Sequence, residues 1–319
     1  MNEDFIKFLR SPITGTELLF RDGVLVDISG NEFPILNGIP RFVDSSNYAN
    51  NFGFQWNKFS EVQIDRVNSY NISKKRFYES LNINEGDLTG LKVLEVGSGA
   101  GRFTEFLVKE DCHLFSIDYS DAVEANRKIN GTNFFLAQAD IYNLPFNIEC
   151  FDLVICLGVI QHTPNVEKSF NELVKYVKPG GKLVIDVYAK NWKTIFNTRF
   201  WFRPITKRLN SEFLLRIVNW YVPIWFPLSS IFIKLPYLGK FLAQLLPISN
   251  YTLQYPFMSK KDLLSWAILD TFDMLSPKYD NPQSLNALHR YAMNNQLVIE
   301  YLGKGQNGYV FRGFKKMIS

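Results

Sequence analysis

A glycine-rich run, GSGAG at 97–101, constrains the fold of this 319-residue chain more than any other feature of its sequence. The apolar segment 91–96 precedes the run, and apolar residues at helical spacing follow it from Phe103 onward. Because glycine has no Cβ, such a turn lets the backbone approach a ligand between a buried strand and a helix. The pattern predicts a strand–turn–helix unit with a ligand site at the turn, although a tight turn without a ligand would leave the same pattern.

The alternation of buried strand and amphipathic helix continues after this first unit. Apolar runs predict further strands at 113–118, 133–139, 151–157 and 182–188, and Pro179-Gly180-Gly181 is predicted to close the helix before the last of them. Strands that alternate with helices of this length form βαβ units in a parallel sheet. Runs at 297–301 and 308–314 lie too close together for a crossover helix and predict an antiparallel C-terminal hairpin. The predicted fold class is therefore α/β, with a doubly wound, Rossmann-like and mostly parallel sheet.

Two segments fall outside this alternation. Residues 1–45 contain short apolar runs separated by the hairpin-type pairs Asp22-Gly23 and Asn37-Gly38, which predict a small β module. Residues 190–255 hold nine basic residues, the single acid Glu212 and four of the six tryptophans, a shift in composition that marks an insertion. The five prolines of this insertion are expected to divide it into the short helices of a cap. The predicted domain division is 1–45, 46–189, 190–256 and 257–319.

Composition excludes several classes of protein. With 46% hydrophobic and 15% aromatic residues, the chain is expected to fold rather than remain disordered. Its 3 cysteines form no C-x-x-C pair, so neither a disulfide framework nor a thiolate zinc site is expected. The N-terminus lacks the apolar stretch of a signal peptide, which predicts a cytoplasmic location. The longest uncharged run of the insertion, 217–233, is shorter than the about 20 residues that span a bilayer and is not predicted to be transmembrane.

Three acids end three successive predicted strands around the glycine turn. Asp118 ends the second strand, where a carboxylate can accept both ribose hydroxyl protons, and Asp140 ends the third, where it can reach an adenine amine. Glu95 precedes the glycines, where it would repel the pyrophosphate of a dinucleotide but tolerate a cationic sulfonium ligand. The glycine spacing is G-x-G-x-G rather than the G-x-G-x-x-G of dinucleotide enzymes. These features weigh against a nicotinamide-dependent oxidoreductase, which stays open as an alternative.

Together with KPGG at 178–181 and the terminal hairpin, these residues resemble the class I S-adenosylmethionine (SAM)-dependent methyltransferases over about residues 52–190 and 257–315. The resemblance implies SAM as the cofactor and a transferase activity. The residues expected to bind the cofactor are Glu95, Gly97, Ser98, Gly99, Gly101, Asp118, Tyr119, Asp140, Ile141 and Leu157.

Further motifs resemble a subgroup of these enzymes that has an N-terminal zinc ribbon and a large cap after the fifth strand. The motifs are FGFQW at 52–56, GVIQHTP at 158–164 and the segment 270–282. The cysteines of the ribbon are absent here, with Ser11 and Ser29 near their places, so no metal is expected. The resemblance implies a sugar-type acceptor and a role in glycan biosynthesis. It places the catalytic residues at His162 and Tyr279 and the substrate-binding residues at Trp56, Gln161 and Asp273.

The expected reaction is O-methylation of a hydroxyl on a small-molecule, glycan or glycolipid acceptor. A histidine with a pKa near neutrality is a natural base for that hydroxyl, although His162 could instead only bond a backbone carbonyl at a helix start. The basic, aromatic segment 190–256 suits a lipid-linked acceptor or peripheral contact with the anionic inner face of a membrane. A purely structural packing surface and a homodimer contact stay open. No nucleic acid is expected, but an RNA base methyltransferase and a catalytically inactive SAM-binding relative also stay open.

Overall fold

The computed structural model describes residues 3–44, 47–190 and 198–317. Of the basic and aromatic insertion, Trp192 and Lys193 therefore lie outside the described residues. The strands, numbered in chain order, are β1 Leu18–Arg21, β2 Val24–Asp27, β3 Glu32–Leu36, β4 Ile39–Pro40, β5 Lys92–Val96, β6 His113–Asp118, β7 Phe135–Gln138, β8 Phe151–Leu157, β9 Val177–Val187, β10 Leu297–Gly305 and β11 Gly308–Lys315. The helices are α1 Glu3–Ile6, α2 Asn50–Lys58, α3 Asp65–Asn68, α4 Ile72–Leu81, α5 Thr104–Leu107, α6 Val123–Asn130, α7 Val166–Tyr176, α8 Arg199–Thr206, α9 Ser211–Phe232, α10 Gly239–Leu245, α11 Lys260–Leu275 and α12 Leu285–Asn294.

The main sheet has seven strands in the order β10-β11-β9-β8-β5-β6-β7. The five strands from β9 to β7 run parallel, and β11 and β10 add to the β9 edge in antiparallel pairing. The predicted α/β fold class with its antiparallel C-terminal hairpin is confirmed. Because β5, β6, β8 and β9 are parallel, their carboxyl ends lie at one edge of the sheet, where ligands bind in folds of this kind.

Several strand boundaries differ from the sequence prediction, and the difference is largest at the fifth strand. The fifth strand of the parallel set begins at Val177 rather than Lys182, so Pro179-Gly180-Gly181 lies inside β9. The helix before β9 already ends at Tyr176, and Val177 pairs with Phe151. The pairing register then shifts between Phe151 and Leu153, and this irregularity accommodates the proline and the two glycines. The third strand is shorter than predicted and covers 135–138 instead of 133–139.

The core of the sheet is aromatic and includes the N-terminal segment. Phe115, fully buried in β6, has ring contacts at 5.4 Å with both Phe5 and Phe8 from the start of the chain. On its other sides, Phe146 and Phe151 lie at centroid distances of 5.6 and 5.3 Å. Aromatic pairs in such edge-to-face arrangements add stabilisation beyond their buried area. The N-terminal segment thus packs against the same core as the sheet that carries the ligand edge.

Residues 18–40 form a separate four-stranded antiparallel sheet, β1-β2-β3-β4. In both predicted hairpins the two turn residues have positive φ, 48° and 85° at Asp22 and Gly23 and 54° and 73° at Asn37 and Gly38. The flanking residues pair directly, Arg21 with Val24 and Leu36 with Ile39. These are two-residue type I′ turns, which asparagine, aspartate and glycine favour because they tolerate positive φ.

A buried aspartate organises this small sheet. Asp27, 5% exposed, accepts hydrogen bonds from Ser11 Oγ at 2.7 Å, Thr14 Oγ1 at 2.9 Å and Asn31 Nδ2 at 2.8 Å, and from the backbone N–H groups of Ser29 and Asn31. Although desolvation raises the pKa of Asp27, the hydrogen bonds from Asn31, Ser11 and Thr14 lower it well below its usual value.

Within the described ranges, no group of three or more His, Cys, Asp or Glu side chains could hold a metal ion.

The cap contains one long helix where the prolines predicted short pieces. Helix α9 runs through both Pro223 and Pro227 for 22 residues, so the expectation that the prolines divide this part of the cap into short helices is wrong. Both prolines are on the exposed side of α9, where the ring displaces no packed neighbour. Among the helices that the structure describes, none is both long and apolar enough to cross a bilayer.

We predict that Asp27→Asn destabilises the chain in a pH-dependent way. The folded-state pKa of Asp27 is lowered, so its stabilisation is present above the unfolded value of about 4 and is lost as the pH falls below that value. Urea unfolding should show the largest difference in free energy between wild type and variant at neutral pH, shrinking below about pH 4. Asp22→Asn, in the exposed β1–β2 turn, is the matched control and should change little. A difference that is the same at every pH would contradict this account of Asp27.

Candidate active site

A cavity of about 350 Å³ opens at the carboxyl edge of the parallel sheet. Its walls come from the residues after β5, β6, β8 and β9, from α2 and α11, and from the segment 249–255 that follows α10. Ten of the residues predicted from the sequence line it, which are Trp56, Gly97, Ser98, Gly99, Asp118, Tyr119, Ile141, Leu157, His162 and Asp273. The other five, Glu95, Gly101, Asp140, Gln161 and Tyr279, do not form part of the wall.

The glycine turn folds back against the end of β6. The N–H groups of Gly97 and Ser98 donate to Ile117 O at 2.8 and 3.0 Å, and the N–H of Gly99 donates to Asp118 Oδ2 at 2.8 Å. Gly97 has φ +81°, and a Cβ there would lie 2.4 Å from a methyl group of Val159. Only glycine fits at this position, because it tolerates the positive φ and leaves room for Val159, which packs against the turn.

Asp118 is the polar anchor of this half of the cavity. Its Oδ1 accepts hydrogen bonds from the N–H and the Oγ of Ser120 at 2.8 and 2.6 Å, while Oδ2 accepts from Gly99. Burial raises the pKa of Asp118, and the hydrogen bonds from Ser120 and Gly99 oppose that rise. The carboxylate is held rigidly at the cavity wall, with acceptor capacity left for a ligand hydroxyl.

Glu95 lies beneath the turn rather than on the cavity wall. Its Oε2 accepts from Thr104 Oγ1 at 2.6 Å and from Ser116 Oγ at 2.7 Å, and its buried Oε1 has no hydrogen-bond partner among the described residues. Burial raises the pKa of Glu95 to about 7 against the lowering effect of these two hydrogen bonds. Ser116, on the adjacent strand, holds the Glu95 side chain below the turn. From there Glu95 acts on the site through its charge or its dipole.

An apolar pocket lies beside Asp118. Tyr119, Ile141 and Leu157 line it, and Tyr48 packs against Tyr119 with ring centroids 4.8 Å apart. Asp140 does not line the cavity, but it lies near Tyr48 and Tyr119, which do, and its Oδ1 accepts from the N–H of Tyr142 at 2.9 Å. Such a pocket suits a flat aromatic ring bound next to a polar group.

The remaining glycine of the turn lies outside the cavity. A Cβ at Gly101 would lie 2.4 Å from Asn126 Oδ1 and 2.1 Å from Asn130 Nδ2, and Asn130 donates to Gly101 O at 2.9 Å. Gly101 thus permits close packing of α6 rather than ligand approach.

His162 ends a short 3₁₀ turn, Ile160–His162, directly after β8. Its Nδ1 lies 3.1 Å from Tyr279 O, and its ring packs between Phe52 at 5.0 Å and Tyr188 at 5.4 Å. A carbonyl oxygen can only accept, so Nδ1 carries the proton and the lone pair is on Nε2. The structure therefore contains the carbonyl contact that the sequence left as an alternative, and this contact also prepares Nε2 to accept a proton.

Two other predicted residues, Gln161 and Tyr279, lie next to His162 but do not line the cavity. Tyr279 meets it only through the backbone carbonyl, while the Tyr279 ring packs against Tyr48 at 5.4 Å. Gln161 is fully buried, and its side-chain amide has no hydrogen-bond partner in the part of the chain that the structure describes. Its backbone carbonyl oxygen accepts from the N–H of Asn281 at 2.8 Å. These placements follow from the 3₁₀ turn, which directs successive side chains to different sides of the loop.

The far half of the cavity is a polar chamber under the cap. Asp273 of α11 accepts from Tyr188 Oη and from Gln55 Nε2, both at 3.2 Å. One turn earlier, Asp270 accepts from Gln63 Nε2 at 3.1 Å, and burial raises the pKa of Asp270 to about 6. Burial and the nearby Asp273 raise the pKa of Tyr188 well above its usual range.

Aromatic rings form another wall of this chamber. Tyr251 and Tyr255 stack with centroids 5.8 Å apart, and each meets Trp266 edge to face at 5.8 and 5.6 Å. All three line the cavity, as do Asp270 and Asp280. Sequence reasoning did not assign any of these residues to the site.

Two arginines border the chamber on the side of α4. Arg76 makes a bidentate contact with Asp186, with Nε–Oδ2 and Nη2–Oδ1 distances of 2.9 Å. Arg102 donates to Ser73 Oγ at 2.8 Å and to Gln63 Oε1 at 2.7 Å. Burial, aided by the nearby charge of Arg76, lowers the pKa of Arg102 to about 10, so Arg102 is a cation at neutral pH.

Comparison with known proteins agrees with this geometry. Residues 94–185, which run from β5 to β9 and include the glycine turn, Asp118 and His162, match the family model for the methyltransferase domain. The ubiquinone biosynthesis O-methyltransferase of Rickettsia prowazekii is 31% identical over 146 residues, which are 43% of this chain and 56% of that protein. The enzyme of the same name from Coxiella burnetii (strain Dugway 5J108-111) is 28% identical over 115 residues, 35% of this chain and 49% of that protein. The chain thus spans about half the length of these relatives.

Among solved structures, the magnesium protoporphyrin IX methyltransferase of Synechocystis PCC 6803 is 14% identical, with a TM-score of 0.46 over 84% of this chain and 97% of that one. Residues 94–185 therefore match a methyltransferase domain, in agreement with the sequence resemblance. The cofactor of this class of domain is SAM.

We predict that Asp118→Ala weakens SAM binding. The variant loses charge-assisted hydrogen bonds worth about 1.5–3 kcal/mol, which is roughly 10–150-fold in affinity. Isothermal calorimetry measures the affinity directly, with Asp111→Ala on the exposed surface as the control. Unchanged SAM affinity in the Asp118 variant would show that this carboxylate does not hold the cofactor.

Proposed function

We propose that this chain transfers a methyl group from SAM to a hydroxyl group of a small-molecule acceptor of the glycan or glycolipid class. The observation that carries the proposal is a single cavity. At one end it has the glycine turn and Asp118, and at the other it has His162, buried carboxylates and aromatic rings. Donor and acceptor can therefore meet inside one enclosure that excludes most water.

The cofactor half of the cavity fits SAM in shape and in chemistry. Gly97, Ser98 and Gly99 of the glycine turn line this half. Asp118 has acceptor capacity for ribose hydroxyls, and Ile141 and Leu157 offer apolar contact for the adenine. When bound, SAM supplies an electrophilic methyl group on a positively charged sulfur. Glu95, close beneath the turn, favours that positive charge when it is ionised.

The acceptor hydroxyl must lose a proton as its oxygen takes the methyl group. We assign that proton to Nε2 of His162, which lines the cavity and whose lone pair is free because Nδ1–H faces Tyr279 O. Phe52 and Tyr188 pack on the ring from two sides and hold its orientation. A positioned histidine of this kind contributes about 10²–10⁴-fold to the rate.

The polar chamber supports a polyhydroxylated ring as the acceptor. Asp270, Asp273 and Asp280 offer several acceptor oxygens within one enclosure, and Tyr251 and Tyr255 present ring faces for the apolar side of a sugar. The names of the relatives support O-methylation, and the acceptor capacity that remains on these carboxylates supports an acceptor with several hydroxyls. The chamber thus favours a sugar-type acceptor over a phenol.

We predict that His162→Ala lowers turnover by at least about 100-fold while leaving the dissociation constant of SAM nearly unchanged. Turnover is measured by transfer of label from methyl-labelled SAM, and SAM affinity by calorimetry on the same preparation. His289→Ala, an exposed histidine on α12, is the control and should retain full activity. Turnover of the His162 variant within a few-fold of wild type would rule out its role as the base.

We also predict the class of the acceptor. Incubation with labelled SAM and a panel of sugars, sugar nucleotides and simple catechols should label members of the sugar classes. Asp273→Asn should then lower kcat/KM for the labelled sugar without changing SAM affinity, because one buried acceptor of the chamber loses its charge. Labelling of catechols alone, with sugars unlabelled, would replace the glycan acceptor with a phenol.

A further inference from the structure

Helix α9 has an apolar face on each side. Its inner face, Leu214, Leu215, Val218 and Val222, is buried in a cluster with residues of α11. Its outer face carries a second apolar row that is exposed. We call this row the outer stripe, and it comprises Phe213, Ile217, Trp220, Ile224 and Ile231.

The spacing of the outer stripe places its members along one line of the helix. Steps of four, three, four and seven residues return to the same side at 3.6 residues per turn. Trp220 is 67% exposed and Ile224 is 53% exposed, so this side of the helix has no covering partner within the described chain. A helix that is apolar on both sides requires a second apolar environment.

The neighbouring elements extend the exposed apolar surface. Trp201 and Ile205 on α8 and Phe241 on α10 are also exposed. More than half of the exposed large apolar side chains in the described ranges lie between Trp201 and Phe257. Such a concentration in one part of a fold marks a surface that meets a partner.

The charge of this region indicates what kind of partner the exposed apolar surface meets. Lys207 and Arg208 precede α9, Arg216 lies beside the outer stripe, and Lys234 follows the helix, all four exposed. No salt bridge joins any of the four to a carboxylate among the residues that the structure describes. Glu212 is the single acid between residues 190 and 255. Aromatic and aliphatic side chains next to unpaired cations match the headgroup region of an anionic bilayer.

A second copy of the chain fits this charge pattern less well. Two copies that meet through the same patch would bring the cations of both surfaces together, with one acid from each to offset them. Anionic lipid headgroups, in contrast, would pair with every one of these cations.

We propose that α8, α9 and the segment up to α10 dock in the plane of an anionic membrane surface, with the outer stripe in the interfacial layer. No described helix can span a bilayer, which fits a helix that lies along the surface. The segment after α10 links this surface to the cavity, since Tyr251 and Tyr255 line the cavity while Leu253 and Phe257 are exposed. Docking would thus place the acceptor chamber next to lipid-borne substrates.

The test is flotation of the full chain with phosphatidylcholine vesicles that contain or lack phosphatidylglycerol. Wild type should float with the phosphatidylglycerol vesicles and be released by salt. The double variant Trp220→Glu/Ile224→Glu should stay at the bottom of the gradient. Each of Lys207→Gln, Arg208→Gln and Arg216→Gln should weaken binding about fivefold, as expected for one cation near an anionic surface.

Ile28→Glu/Ile148→Glu is the matched control, because both side chains are exposed apolar residues remote in sequence from the cap. It should float like wild type, and SAM affinity should be equal in all variants, which confirms that they are folded. The proposal is overturned if wild type does not float with phosphatidylglycerol vesicles or if the outer-stripe variant floats as well as wild type. It is also overturned if sedimentation shows a wild-type dimer that this variant converts to a monomer without any vesicle binding. None of these outcomes bears on methyl transfer, because SAM binding and turnover on a water-soluble acceptor are measured without vesicles.

Discussion

The hydrogen bond from the N–H of Gly99 to Asp118 is the constraint on which the site depends. It fixes the glycine turn of β5 against the end of β6, together with two bonds from Gly97 and Ser98 to Ile117 O. The three N–H donors of the turn are thereby satisfied by the neighbouring strand rather than by water. One carboxylate thus both shapes the cavity and offers a polar group to the ligand.

A buried ion pair likewise fixes two elements against each other beside the acceptor half of the cavity. Arg76 on α4 and Asp186 on β9 are almost completely buried and bind each other in a bidentate arrangement. Removal of one partner would leave an uncompensated charge, so such a pair specifies where its two elements meet even if it adds little net stability. Asp186 lies two residues before Tyr188, and the pair therefore also fixes the strand end from which Tyr188 reaches Asp273.

Patterns local in sequence predicted much of this structure. The alternation of strands and helices gave the parallel sheet, and the Asp22-Gly23 and Asn37-Gly38 pairs gave two hairpins, because turn chemistry and periodicity act over a few residues. The prediction from Pro179-Gly180-Gly181 placed the start of β9 too late in the chain, because a proline is tolerated where a strand is irregular. Likewise, the prolines of α9 are at exposed positions of a helix whose other face is packed.

The site likewise contains residues that local sequence patterns predict and others that they do not. Asp118 is the last residue of β6 and His162 lies in the loop after β8, so the rule that ligands bind at the carboxyl ends of parallel strands found them. That rule could also have found Tyr188, which directly follows β9. The aromatic wall of Tyr251, Tyr255 and Trp266 could not be found in this way. It forms only when the cap and α11 fold together, and no local spacing encodes that contact.

The central claim is that the cavity at the sheet edge binds SAM. A thermal-shift titration of the purified chain with SAM, S-adenosylhomocysteine and NAD tests it most directly, because a ligand that binds only the folded state raises the melting temperature as its concentration rises. The account predicts a saturable increase with SAM and with S-adenosylhomocysteine and none with NAD. An increase with NAD alone, or no increase with any of the three, would contradict it.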